Sequence, residues 1–182
     1  MSVEPTTAAP AASTANRYAA LAKAITRGGT GDAAALARLD PDGALQPHQI
    51  AAAVRAFLAA GIEPEGWSAA QWQRWSLIAH GIALAGHDGG RSLGWQLAKA
   101  GVAESRVTKL LTARGDAFSA LIPRLLRLLA SKAVAPNWNE MGALIHQQAL
   151  TGADAVSRAE EIRLRIASRY FSAASEAPNP AA

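Results

Sequence analysis

The sequence predicts an all-α fold: two small helical bundles, about nine helices in all, with disordered termini. Three observations carry this reading. Half of the 182 residues are hydrophobic while only 5% are aromatic, the excess being alanine. Alanine is the best helix former and a poor core filler, so many short, closely packed helices suit this composition better than a sheet. Apolar residues recur at spacings of three and four, without any convincing alternation of period two. Clusters of glycine interrupt these runs, most sharply at "GHDGGR", residues 86–91.

Taken in order, residues 1–15 are rich in Ala, Pro, Ser and Thr and are expected to be a disordered tail. Helices are expected over 16–27, 32–39, 47–60, 68–85, 92–101, 104–113, 116–132, 138–150 and 154–172. Pro47 suits a first helical turn, because its missing N–H would have no partner there. Ser68, Ser92, Asp116 and Asn137 can each accept a bond from the free amides at a helix start. Gly61 and Gly101 follow apolar runs and serve as stops. Pro123 falls inside 116–132, where the helix should kink or restart. The break at 86–91 divides an N-terminal bundle, 16–88, from a C-terminal one, 89–172. A second loose segment is 133–138, and residues 173–182 are expected to be a disordered tail.

Within 68–85, Trp72 and Trp75 lie near Ile78, Ala79 and Ile82 on one face. That pattern describes a core helix, with a base-stacking platform as the alternative. Trp95 and Trp138 read as core anchors. Along 116–132, Leu121, Leu125, Leu128 and Leu129 form an apolar stripe, placing Arg124, Arg127 and Ser131 on the other side.

Several chemistries lack their residues. The chain has no cysteine, which excludes disulfides and thiolate metal sites. His48, His80, His87 and His146 are dispersed and fit no tight ligand spacing, so no metal is expected. His80 is expected at a helix surface or satisfied in the core. "GGTG" and "GHDGG" have neither the phosphate-loop pattern nor a preceding strand, and read as turns. Glu160 and Glu161 are chain neighbours, so a helix points them apart and they make a poor acid–base pair. No nucleophile elbow is present. The expectation is a protein that is not an enzyme and needs no cofactor. No apolar run reaches the ~18 residues that cross a bilayer, and the N-terminus resembles no secretory signal, so a cytoplasmic location is expected.

Charge is distributed unevenly. The chain carries a net +4, yet residues 91–132 alone hold eight Lys/Arg against two Asp/Glu, a local surplus of +6. The segments on either side are each −1. Solvated faces usually mix signs, whereas polyanion sites concentrate one. The cations of the segment are Arg91, Lys99, Arg106, Lys109, Arg114, Arg124, Arg127 and Lys132. Arg106 and Lys109, three apart, share one side of their helix beside Val107, Leu110 and Leu111. Arg114 closes that helix, where it could instead pair with terminal carbonyls.

The run "RSLGWQLAKAGVAESRVTKLLTARGDAFSALIPRLLRLLA", followed by "NWNEMGALI", resembles the CasB small-subunit family of the type I-E CRISPR Cascade complex. The resemblance lies in "SLG" with "LA" three residues on, the short "AGVAESR" turn, "LL-AR" before an Arg/Leu helix, and Trp138 opening the next helix. Upstream "GGTGDAAALARL" and downstream "SRAEEIRLRIASRYF" extend it over most of 17–171. The longer Ala/Pro-rich N-terminal tail and Pro123 depart from the family pattern, and Pro123 puts the geometry of Arg124 and Arg127 in doubt.

The resemblance implies a non-catalytic, all-helical subunit that joins a second copy head-to-tail along Cascade, a crRNA-guided assembly. It would touch the other Cascade subunits and support the R-loop formed by crRNA and target DNA, with no membrane contact. Arg91, Arg106, Lys109 and Arg114 rank first as nucleic-acid contacts; Lys99, Arg124, Arg127 and Lys132 come second. Arg38, which rests on the upstream resemblance, comes third. Two other readings stay open. One is a stand-alone DNA-binding regulator using 92–101 and 104–113 as a helix–turn–helix, although "VTKLLTA" offers few base-reading side chains. The other is a structural adaptor whose cations meet acidic protein partners.

Overall fold

A computed structural model describes residues 14–40 and 43–176. Among these residues the regular structure is helical throughout: α1 (Thr14–Arg27), α2 (Thr30–Ala37), α3 (Pro47–Ala59), α4 (Ala69–Ala85), α5 (Leu93–Lys99), α6 (Glu104–Thr112), α7 (Gly115–Ser131), α8 (Trp138–Gln148) and α9 (Ala153–Glu176). Two expectations about the ends change. Thr14 and Ala15 already belong to α1, and residues 173–176 complete α9 instead of starting a tail. Residues 1–13 and 177–182, the rest of the expected tails, lie outside the described residues.

Local signals set most boundaries. Gln46 and Gln49 form a reciprocal capping box in front of α3, with Pro47 in its first turn. Ser68 accepts from the Gln71 amide while the Gln71 side chain accepts from the Ser68 amide. Ser92 and Asn137 cap α5 and α8 by accepting from Trp95 and Asn139. Asp116 is a correction: α7 starts one residue earlier, after Arg114, so Asp116 sits in the first turn and caps nothing. There its charge still complements the helix dipole. Gly61 and Gly101 both stop their helices at positive φ. The amides of Ile62 and Val102 then reach back to the carbonyls of Phe57 and Leu97, the Schellman arrangement. Pro123 does not restart the helix. α7 runs through it, because the loss of one backbone bond is tolerated once the proline ring is buried in the core.

The helices pack in two groups. α1, α2 and α4 contact one another with α3 on α1 and α2, α5, α8 and α9 contact one another, and α1–α8 and α4–α8 contacts join the two groups, while α7 packs on α4 and α6 on α9. One continuous hydrophobic core spans both. At its N-terminal end is an aromatic cluster. Trp67 stacks on Trp75 at 5.7 Å between ring centres, Phe57 sits 5.3 Å from Trp67, and Tyr18 sits 6.0 Å from Trp75. Trp75 is buried with Ile78, Ala79 and Ile82. Trp72 is half-buried against Trp67 and Phe57, so these rings use their faces on each other. Trp138 is fully buried and its indole donates to the Gly86 carbonyl at 2.9 Å. Trp95 departs from its expected role. It is half-buried outside the core cluster, with the Arg91 guanidinium 5.0 Å above its ring.

Two glycines permit the closest approaches. A Cβ on Gly81 of α4 would collide with the Trp138 ring. A Cβ on Gly94 of α5 would collide with the Ile166 carbonyl and the Tyr170 amide of α9, and the backbone of a long helix cannot step aside. Gly94→Ala should therefore lower stability by about 1–3 kcal/mol, the range for overpacking a close contact, read from the urea midpoint at unchanged m-value.

Two histidines, His80 and His146, pack into the interior. His80 is buried and its Nδ1–H faces the Leu36 carbonyl at 3.1 Å. Burial holds its pKa below the usual value, against the pull of that carbonyl. His146 packs edge-on against Trp75 at 4.8 Å. Burial, with Arg74 and Arg17 nearby, lowers its pKa to about 4. In the unfolded chain a histidine titrates near ~6.5, so between about 6.5 and 4 the unfolded state binds more protons. Stability should thus be complete above pH ~6.5 and fall as the pH drops, by about 3 kcal/mol in total from this group. Denaturant titrations at pH 7 and pH 5 should show about 2 kcal/mol of that loss, and His146→Phe should shrink it.

Candidate nucleic-acid interface

α6 and α7 build the basic surface. Val102, buried after the Gly101 turn, anchors the entry to α6. Val107 and Leu110 then face the core, leaving Arg106 and Lys109 exposed one turn apart. In α7 the buried stripe is Phe118, Ile122, Leu126 and Leu129, not the expected Leu121, Leu125, Leu128 and Leu129. Only Leu129 is shared. The helix is rotated because α4 takes the Phe118–Leu129 face, and the other three leucines are half-buried toward α6.

The consequence is a groove of about 440 Å³ lined by Arg106, Lys109, Leu110, Leu121, Arg124, Leu125 and Leu128. Its floor is leucine and its rim carries three cations. Arg124 thus joins Arg106 and Lys109, while Arg127 lies apart and donates from Nε to the Pro123 carbonyl at 3.2 Å. Among the described residues, no carboxylate pairs with Arg106, Lys109 or Arg124.

Arg114 is placed differently. Its guanidinium donates to the Leu111 and Ala113 carbonyls, at 2.8 and 2.9 Å, and to Glu160 at 2.7 Å. The same Glu160 oxygen accepts from Arg163 at 2.8 Å. Arg163 is buried, with its side chain 4% exposed, and its remaining contact is the Ala113 carbonyl at 3.4 Å. Burial and the adjacent Arg114 weaken its hold on the proton, whereas Glu160 strengthens it. The triad ties the end of α6 to α9, so Arg114 spends its donors inside the protein.

The other cations are separate. Arg91, over Trp95, lines a cleft with Arg169 and Glu176. Lys99 ends α5, Lys132 caps α7 and Arg38 caps α2, all exposed. The sequence reading missed Arg169 and a third basic area, where Lys23, Arg27 and Arg55 line a groove between α1, α2 and α3. There Arg55 grips Asp32 with two bonds, 2.6 and 2.8 Å, and holds that carboxyl below its ordinary pKa. No local charge surplus marks these residues in the chain. Among the described residues no three of His, Asp and Glu gather as metal ligands, and no helix is long and apolar enough to cross a membrane.

Comparison with known families establishes the class: this all-helical chain is a subunit of a CRISPR effector complex. The chain belongs to the CRISPR-associated protein Cse2 family, whose family model matches residues 32–171. It is accordingly a CRISPR Cascade subunit of the type I-E small-subunit kind. Comparison with curated proteins and with solved structures gave no match.

The difference between tied and untied cations is measurable. Glu160→Ala leaves Arg163 buried beside Arg114 without its counter-charge and should cost about 2 kcal/mol. Arg106→Ala should stay within about 0.5 kcal/mol of the parent. Urea unfolding of the two variants side by side checks this.

Proposed function

We propose that this Cascade subunit binds nucleic-acid backbone without sequence preference and thereby stabilises the crRNA-guided R-loop, with no catalytic step of its own. The observation that carries the proposal is the set of three cations around the α6–α7 groove, exposed and unpaired by carboxylate among the described residues. Guide pairing already reads sequence, so an accessory subunit need only contact phosphates. Exchange of one duplex for another is nearly balanced, and a few such contacts tip it. Arg91, Lys99, Arg127, Lys132 and Arg38 lie apart from the groove and serve as separate, secondary contacts. Arg114 supports the groove by holding the end of α6.

Protein contact has its own observation. α9 turns a second apolar face outward through Val156, Leu164 and Phe171, 57%, 69% and 44% exposed. At eight and fifteen residues from the first, they fall on one side of the helix. This face suits docking to other Cascade subunits, including a second copy. A stand-alone regulator is not favoured, since the family is one of Cascade subunits.

Replacing Arg106, Lys109 and Arg124 together by Ala should reduce the salt dependence of binding by about 2 units on single strands and about 2.7 on duplex, with sequence preference unchanged. In a reconstituted complex the variant should assemble yet form the R-loop more weakly. Failure to assemble would instead assign these cations to a protein neighbour.

A further inference from the structure

Phosphate contacts account for the rim of the α6–α7 groove but not for its floor. A strand held only by its backbone needs cations on a flat surface. Here Arg106, Lys109 and Arg124 surround Leu110, which is 4% exposed, and the half-buried Leu121, Leu125 and Leu128. Apolar walls with a few charged groups are the makeup of a site for an organic ligand. The lining includes no Asp, Glu, Asn, Gln, Ser or Thr. An extended peptide would therefore find no side-chain acceptor or hydroxyl for its backbone, whereas a group that is anionic at one end and flat and apolar at the other finds both its partners.

We infer that this groove receives an unpaired nucleobase of a single strand, seated over the leucines, while the phosphates on either side lie on Arg106, Lys109 and Arg124. The inference rests on the nucleic-acid reading above and narrows it from any polyanion to the unpaired strand. A duplex hides its base faces by stacking and offers only edges and phosphates, but an unpaired strand can splay a base outward. The floor removes that base face from water without a hydrogen bond to its edge, so every base can be accepted. Such a site discriminates single from double strand while remaining indifferent to sequence.

The test uses the full chain and three probes read by fluorescence anisotropy: an unstructured single-stranded DNA, the same strand with abasic positions throughout, and a duplex of the same sequence. The abasic strand keeps every phosphate and removes every base. The parent protein should bind the normal strand about fivefold more tightly than the abasic one, the gain from removing about 40 Å² of base face from water. Leu121→Gln with Leu125→Gln should bring the normal strand to the abasic level and leave abasic binding unchanged. Leu128→Gln serves as a second variant should the double one unfold, and the parent's own comparison of probes depends on no variant. Equal binding of normal and abasic strands by the parent would overturn the inference while leaving the phosphate reading intact. Absence of binding to all three would overturn both. A Glu/Leu amphipathic peptide that binds the parent but not the leucine variant, with normal and abasic strands bound alike, would give the groove to a protein partner and overturn the inference.

Discussion

Two helix starts in this protein are satisfied by each other's neighbourhood, and the C-terminal half is arranged around that exchange. At the beginning of α8 the Asn137 amide donates to the Gln96 side chain at 2.6 Å and the Trp138 amide to His87 Nδ1 at 3.2 Å. At the beginning of α5 the Leu93 amide donates to Glu140 of α8 at 2.6 Å. The Asn137 side chain donates to the Arg91 carbonyl and that of Gln96 to the Asp88 carbonyl. Amides at a helix start have no partner within their own helix, and leaving them buried without one costs about as much as a lost hydrogen bond. Each loop therefore supplies what the other helix lacks. Because His87 must accept through Nδ1, it serves in its neutral form, and burial lowers its pKa accordingly.

From that knot the basic edge follows by packing. With α5 and α8 fixed together, Gly94 lets α9 lie directly on the α5 backbone. Tyr170 of α9 then donates to the Val102 carbonyl at 2.6 Å, which pins the turn leading into α6. At the far end of α6, Arg114, Glu160 and Arg163 close the same unit. α6 is thus clamped at both ends by α9 while α7 is held by α4. The groove between them exists because neighbouring helices answer to different partners. Rigid support of this kind gives exposed cations a defined geometry without pairing any of them.

The cations divide by what surrounds them. Arg163 is buried with its counter-charge and Arg114 shares the same carboxylate. Both belong to the architecture. Arg106, Lys109 and Arg124 are exposed at the rim of a groove whose other lining residues are leucines. A charge left without an internal partner, where the fold could have supplied one, is available to an external one. The same contrast holds on α9, where Ile162, Ile166 and Tyr170 face the core and Leu164 and Phe171 face outward.

The sequence by itself determined the helices and the place of the surplus charge, because both are local. Ser68, Ser92, Asn137 and Pro47 announce helix starts within a few residues, and a +6 surplus in 91–132 can be counted along the chain. The family, too, was legible in the order of "SLG", the Arg/Leu helix and Trp138. Only the tertiary structure decided which side of α7 turns inward. Leu121 to Leu129 make two overlapping stripes at helical spacing, and α4 selects the one that includes Phe118. That rotation brings Arg124 to the groove and leaves Arg127 outside it. Likewise the pairing of Arg114 with Glu160, forty-six residues away, and the place of Trp95 outside the core are long-range outcomes. A helix read alone shows which residues share a face, but not which face its neighbours will cover.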